Sequence, residues 1–285
     1  MTRAAQGLGN EVHATTVSVN GVRIHYQRAG DADVPLVLVH GSWVSHRAWG
    51  AVVPRLAESF DVVAYDRRGH SRSERPTGQG SVQEDVADLA ALIRRLGLAP
   101  AWVVGNSFGA SIALRLAAEH APLLRGVIAH EPPLWGVISD DPALAPLVEE
   151  GARMTAMVAE RIAAGEHEGG ARLFIENVLG PGSWPHLPPE FRATMIENAA
   201  TYLDESRDPA LYAFDLAWLT GFRKPVMLTT GSEGLHTFAG VVTRLADALP
   251  HAAVSQFDGA GHIPHTTHPD EYVEATRAFI HGQAT

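Results

Sequence analysis

The stretch that most constrains what this chain can become is Trp102–His120, WVVGNSFGASIALRLAAEH. A short apolar run ends at Gly105, the pentapeptide Gly105-Asn106-Ser107-Phe108-Gly109 follows, and Ala110–Ala117 then carries good helix formers. Strand, sharp turn and helix is the reading that this order supports. A serine at the tip of such a turn is pushed toward a strained backbone, so its neighbours two residues away must be nearly without side chains. Gly105 and Gly109 meet that demand. The strain lifts the Ser107 hydroxyl clear of a sheet, and the N–H groups that open the following helix point where an oxyanion would form. A G-x-S-x-G pentapeptide alone occurs by chance in many proteins; its strand-to-helix setting is what makes Ser107 a candidate nucleophile.

The rest of the chain alternates strand and helix signals around that turn. Asn20-Gly21 separates Val12–Val19 from Val22–Arg28 and suits the type I′ turn of an opening hairpin. Pro35–Val39 is an apolar run fit for a strand covered on both faces. Arg47–Ser59 has helical spacing, Val62–Tyr65 reads as a strand, and Ser81–Leu96 as a long helix with Ser81 as N-cap, Glu84 completing a capping box and Gly97 at its end. Leu124–Ala129, Pro225–Thr230 and Ala253–Phe257 are the later strands; Phe238–Leu249 and Pro269–His281 are the later helices.

Between Asp140 and Phe222 the alternation stops. Short helices are expected over Pro142–Ala164, Glu168–Leu179, Pro188–Leu203 and Pro209–Leu219, joined by turns such as Gly180-Pro181-Gly182-Ser183-Trp184-Pro185. A helical insertion at the ligand end of a sheet reads as a lid. The expected division is therefore a core of residues 1–135 and 221–285, with a lid over 136–220.

Composition narrows the function classes. In 285 residues, 46% hydrophobic and 19% charged, no linker or charge run divides the chain, so one large α/β domain with an insertion is expected. A formal net charge of −10 disfavours nucleic acid, and the absence of cysteine excludes thiol catalysis and cysteine metal sites. The opening residues MTRAAQGLGN lack the apolar core of a signal peptide, and no apolar run approaches the length of a membrane span. A cytoplasmic protein that binds neither nucleic acid nor membrane is the expectation; a second copy of the chain is kept as a candidate partner.

Three further segments carry chemistry. In His40-Gly41-Ser42-Trp43, Gly41 allows close backbone approach and the Ser42 N–H can join that of Phe108 as an oxyanion donor. Glu131, in His130-Glu131-Pro132-Pro133-Leu134, follows a strand where open parallel sheets place ligand chemistry, and its prolines stop both strand and helix. His262 lies on the glycine-rich loop after the last strand and suits a general base. His262, His265 and His268 resemble a metal cluster, but ligands three apart share a face only on a helix, and Pro264 and Pro269 argue against one there, so no metal is expected. Gly69-His70-Ser71 looks like half an elbow, yet position 73 is serine and no helix former follows before Pro76, so Ser71 is read as a loop residue.

With His40-Gly41, Asp66-Arg67-Arg68-Gly69-His70-Ser71, Gly105–Gly109 and Gly259-Ala260-Gly261-His262 in view, the chain resembles the α/β-hydrolase fold family over almost its whole length. The resemblance implies eight mostly parallel strands with the second antiparallel, a helical lid after strand 6, and nucleophile, acid and histidine in that chain order. The family's usual aspartate after the seventh strand would fall at Gly234, which has no carboxylate, and Glu233 is one residue early. A subgroup that includes haloalkane dehalogenases and zearalenone lactonases places its acid after the sixth strand. The segment His130-Glu131-Pro132, Trp184, and Gly261-His262-Ile263-Pro264 with His268-Pro269 are similar to those lactonases. Serine at 107 argues against the dehalogenases and epoxide hydrolases, which use aspartate there.

The expected function is a serine hydrolase acting on a hydrophobic ester or lactone, for which the resemblance suggests a resorcylic macrolactone such as zearalenone. Ser107, Glu131 and His262 form the expected triad, Ser42 and Phe108 the oxyanion hole, and Trp184, Trp43 and Leu134 the substrate contacts, with no cofactor. Trp135 and Trp218 add to an apolar lid. Two alternatives stay open: a cofactor-free C–C bond hydrolase or perhydrolase with the same triad, and a small-molecule receptor with a vestigial one.

Overall fold

The computed structural model describes residues 13–283. Val12 and the opening residues read for a signal peptide lie outside the described residues. Eight strands form one sheet: β1 His13–Val19, β2 Val22–Ala29, β3 Pro35–Val39, β4 Asp61–Tyr65, β5 Ala101–Asn106, β6 Leu124–His130, β7 Val226–Gly231 and β8 Ala253–Phe257. Their spatial order is β1-β2-β4-β3-β5-β6-β7-β8. β2 pairs antiparallel with both β1 and β4, and every other pairing is parallel. The hairpin turns where expected, with Asn20 at φ 45° and Gly21 at φ 80°.

Both faces of the sheet are covered, which is why its central strands read as unbroken apolar runs. Along β3, Val37 and Val39 enter a core on one face while Leu36 and Leu38 enter a core on the other, the period of two that a pleated strand imposes. The helices that cover these faces are α1 Val53–Leu56, α2 Val82–Arg95, α3 Phe108–Glu119 and, after β7, α8 His236–Ala248, α9 Pro264–Thr267 and α10 Pro269–Gly282. Ser81 caps α2, its hydroxyl accepting the Glu84 N–H at 3.3 Å.

Between β6 and β7 the chain forms α4 Ala145–Ala163, α5 His167–Val178, α6 Pro189–Asn198 and α7 Thr201–Arg207, with short 3-10 turns. This insertion has its own apolar core of Val158, Ile162, Ile175, Trp184, Met195 and Tyr202, into which Trp43 from the main body also packs.

Four local expectations need correcting. The helix expected over Arg47–Ser59 is a 3-10 turn, His46–Trp49, then α1, because Gly50 and Pro54 interrupt it. The helix expected over Pro188–Leu203 is divided into α6 and α7, and the one over Pro209–Leu219 shrinks to a 3-10 turn at Leu216–Leu219. Pro264 and Pro269 start helices rather than prevent them, since proline at the first helical positions gives up an N–H that would have no partner there.

Candidate active site

The turn between β5 and α3 has the strain that its sequence demands. Ser107 sits at φ 55°, ψ −124°, a region L-residues rarely enter. The flanking glycines are obligatory by contact: a Cβ on Gly105 would lie 2.3 Å from the Gly109 carbonyl oxygen, and one on Gly109 would lie 2.1 Å from that of Val39. Ser107 N–H is anchored to the His130 carbonyl at 2.8 Å, which ties the turn to the end of β6. Phe108 is the first residue of α3, so its N–H has no carbonyl four residues back to bond.

Glu131 stands immediately beyond β6, fully buried, at φ 45°. Its Oε1 accepts hydrogen bonds from Thr230 Oγ1 and from the Gly231 N–H, both at 2.9 Å, and its Oε2 lies 2.6 Å from His262 Nδ1. Burial by itself would push this carboxyl up, but the hydrogen bond and charge of His262 outweigh it and hold Glu131 down to about 2. Glu233, by contrast, is exposed, and its backbone N–H bonds to the Ala260 carbonyl. The imidazole of His262 is held by Glu131 and by Phe238 stacked at 4.5 Å and 17°, and its backbone by Asn106, whose Nδ2 donates to the His262 carbonyl at 2.9 Å.

With Nδ1 committed to Glu131, Nε2 is the ring nitrogen left for other partners. Ser107, His262 and Ser42 together line two adjoining chambers beneath the helical insertion. One is walled by Trp135, Val158, Tyr202, Leu211 and Phe238, with Glu205 among them. The other is walled by Val44, Ile175, Leu179, Phe191 and Met195. Both are predominantly apolar, and Phe174 and Val178 of α5 border each.

The loops that carry Ser42 and Arg67 are joined through His40. Its Nδ1 donates to the Gly41 carbonyl at 2.8 Å, and its Nε2 accepts the Arg67 N–H at 3.0 Å. Burial, with Arg67 close by, pushes the His40 imidazole down to about 3, so it stays neutral in that bridging tautomer. Asn198 of α6 ties the same region to the insertion, its Nδ2 donating to the Trp43 and Val44 carbonyls at 3.0 Å and its Oδ1 accepting the Ser71 N–H at 2.7 Å.

The substrate contacts expected from sequence are corrected by packing. Trp43 is fully buried and stacks on Tyr202 at 4.9 Å; Leu134 belongs to the main core; Trp184 is 4% exposed inside the insertion's core. None of the three lines either chamber. Of the other lid tryptophans, Trp135 lines the first chamber and Trp218 is exposed away from both. The three loop histidines point apart: His262 to Glu131, His265 against Trp49 at 4.4 Å, and His268 to the Thr267 hydroxyl. Sequence reasoning did not reach Asn198, Phe238 or Glu205. Each lies far along the chain from Ser107 and in helices whose pattern says nothing of which polar or aromatic side chain turns inward. Asn106 lay within the pentapeptide, where its polarity in a buried strand end was a usable signal.

Residues 36–275 match the alpha/beta hydrolase family. The chain is 35% identical over 117 residues to a soluble epoxide hydrolase from Corynebacterium sp., an alignment that spans 41% of this chain and only 41% of that relative. It is 24% identical over 293 residues to 2-(acetamidomethylene)succinate hydrolase from Mesorhizobium japonicum, covering 98% and 99% of the two chains. Among solved structures, the enol-lactonase from Burkholderia xenovorans superposes with a TM-score of 0.78 at 21% identity, over 93% of this chain and 99% of that one. Among the described residues, no helix is long and apolar enough to cross a membrane.

Proposed function

The chain belongs to the alpha/beta hydrolase family, and from that premise we propose that it is a serine hydrolase that cleaves a carboxylic ester or lactone of a hydrophobic small molecule through an acyl-enzyme. The observation that carries this reading is the 2.6 Å contact between His262 Nδ1 and Glu131 Oε2, beside chambers that His262 shares with the strained Ser107. In this reading the Ser107 hydroxyl attacks the substrate carbonyl carbon as its proton passes to His262 Nε2. The oxygen of the tetrahedral intermediate is received by the N–H groups of Ser42 and Phe108, where loss of one donor would cost about a hundredfold or more in rate. Collapse re-forms the carbonyl and breaks the bond from the acyl carbon to the alcohol oxygen, which takes the proton from His262 as it departs. Water, deprotonated by the same nitrogen, then releases the acid and restores Ser107.

Glu131 stays ionised throughout, fixes the tautomer that leaves Nε2 free, and stabilises the imidazolium. The insertion over residues 136–220 acts as the lid of a core whose described residues are 13–135 and 221–283. Its helices exclude water from the chambers, which strengthens every charge interaction there. Two apolar chambers meeting at one serine suit a substrate with apolar groups on both sides of the scissile bond. A macrolactone meets that description. A serine at 107 separates this chemistry from epoxide opening by a carboxylate nucleophile.

The test is a panel of aryl esters, small lactones and resorcylic macrolactones including zearalenone, read by product mass, together with labelling by a fluorophosphonate. Hydrolysis of at least one class, with labelling lost in Ser107→Ala, is expected. Labelling unchanged in that variant, or cleavage confined to a vinylogous diketone, would contradict the proposal.

A further inference from the structure

Glu205 of α7 is an acidic residue among those lining the first chamber, in a wall otherwise built mainly of apolar side chains. It is 6% exposed. Its Oε1 is held by the guanidinium of Arg67, which also bonds Asp85 at 3.2 Å and lies over the ring of Phe108, the residue next to Ser107, at 4.7 Å. Its Oε2 is buried with no hydrogen-bond partner, while the Ser42 hydroxyl lies near enough to the carboxyl to favour its charged form. Asn177, Tyr202 and Trp135 also line this wall, and the Tyr212 hydroxyl there is already engaged with Thr155 Oγ1, which itself donates to the Gly151 carbonyl. A buried, unpaired carboxyl oxygen is costly unless something pairs with it. None of the proposed catalytic steps uses it.

The geometry points to Glu205 as a specificity-determining residue: its free Oε2 pairs with a hydroxyl group on the substrate, placed within the first chamber, and its negative charge turns away substrates that bring a carboxylate there. A hydroxyl is the group that fits both states of this carboxyl, since it donates to the carboxylate and accepts from the acid. Burial pushes Glu205 up to about 7 while Arg67 and the Ser42 hydroxyl oppose the rise, and Asp85, Asp204, Tyr202 and Tyr212 are the other titratable groups coupled to it. Near neutral pH the residue therefore passes between those two states. This inference rests on the hydrolase reading for where the substrate sits.

Matched pairs test it: phenyl and 3-hydroxyphenyl acetate, aryl butyrate and aryl 3-hydroxybutyrate, and aryl butyrate against the mono-aryl ester of succinic acid at pH 8. Each is measured as kcat/KM with the intact chain, and as Kd by calorimetry on Ser107→Ala, which does not depend on turnover. The account expects one hydroxylated member to be preferred by about tenfold or more, the scale of a hydrogen bond to a charged group, and the succinate ester to be disfavoured. In Glu205→Leu the hydroxyl preference falls to near unity. In Glu205→Gln, which can still hydrogen bond, it is kept, while the bias against the succinate ester shrinks. Both ratios unchanged in both variants, with all substrates falling together, would assign Glu205 only to holding Arg67 and overturn the inference. Absence of turnover with the Kd ratios retained would sink the hydrolase reading and leave this one standing.

Discussion

The Glu131 carboxylate fills the space that a side chain on Gly234 would need: a Cβ there would lie 2.4 Å from Glu131 Oε1. An acid after β6 and a side chain at this point of the β7 loop therefore compete for one volume beside His262. Because Oε1 is already fixed by Thr230 and Gly231, Glu131 cannot swing aside without giving up those bonds.

That competition predicts a specific exchange. Gly234→Ala should lower kcat on an aryl acetate by about tenfold or more with the fold retained, since a buried hydrogen bond to an ion contributes on that scale. In a Glu131→Ala background, Gly234→Asp should recover at least part of the lost rate. A rate for Gly234→Ala equal to the parent would show that Glu131 Oε1 is not held as described.

Glu131→Gln and Glu233→Gln separate the two candidate acids. Glu131→Gln should lower kcat by on the order of 10⁴ with KM little changed, because the wrong tautomer of His262 would be held. Glu233→Gln, at an exposed position, should stay within about tenfold. The reverse ranking, with both variants folded by circular dichroism, would move the acid.

Glu131 also makes an acid-stability prediction. Its carboxyl is held at about 2 in the folded chain against an ordinary 4.5, so between those values the unfolded chain binds more protons. The stability it contributes is present above about 4.5 and is lost as pH falls toward 2. Urea unfolding at pH 7 and pH 3 should show the parent losing ~2 kcal/mol more than Glu131→Gln over that interval. Equal losses would mean that Glu131 is not the stabilised anion.

Trp184→Ala should destabilise the protein by about 3–5 kcal/mol, the usual cost of emptying a buried tryptophan site. It should leave the ratio of activity on bulky and short esters unchanged, because Trp184 packs against the insertion's own core rather than lining a chamber. A selective loss on bulky esters would restore it as a substrate contact.

The difference between what was legible and what was not follows chain distance. Gly105, Ser107 and Gly109 are legible because the requirement that couples them is local: strain at one residue excludes side chains two positions away. The apolar runs of β3 and β5 are legible because a sheet covered on both faces needs no alternation. Trp184 misled because a tryptophan in a Gly/Pro-rich turn reads as exposed, whereas the insertion's own core buries it, as it buries Trp43. Phe238 and Glu205 had no signal at all, since only the assembled tertiary structure turns those particular helix positions toward Ser107.

The central claim is an ester bond between substrate acyl group and Ser107. Rapid-quench mass spectrometry of the intact chain with a p-nitrophenyl ester, followed by peptide mapping, measures it directly. The account predicts a burst of p-nitrophenolate near one equivalent and a mass increase equal to the acyl group on the peptide containing Gly105–Gly109, both absent in Ser107→Ala. An adduct on another peptide, or undiminished turnover by Ser107→Ala, would contradict it.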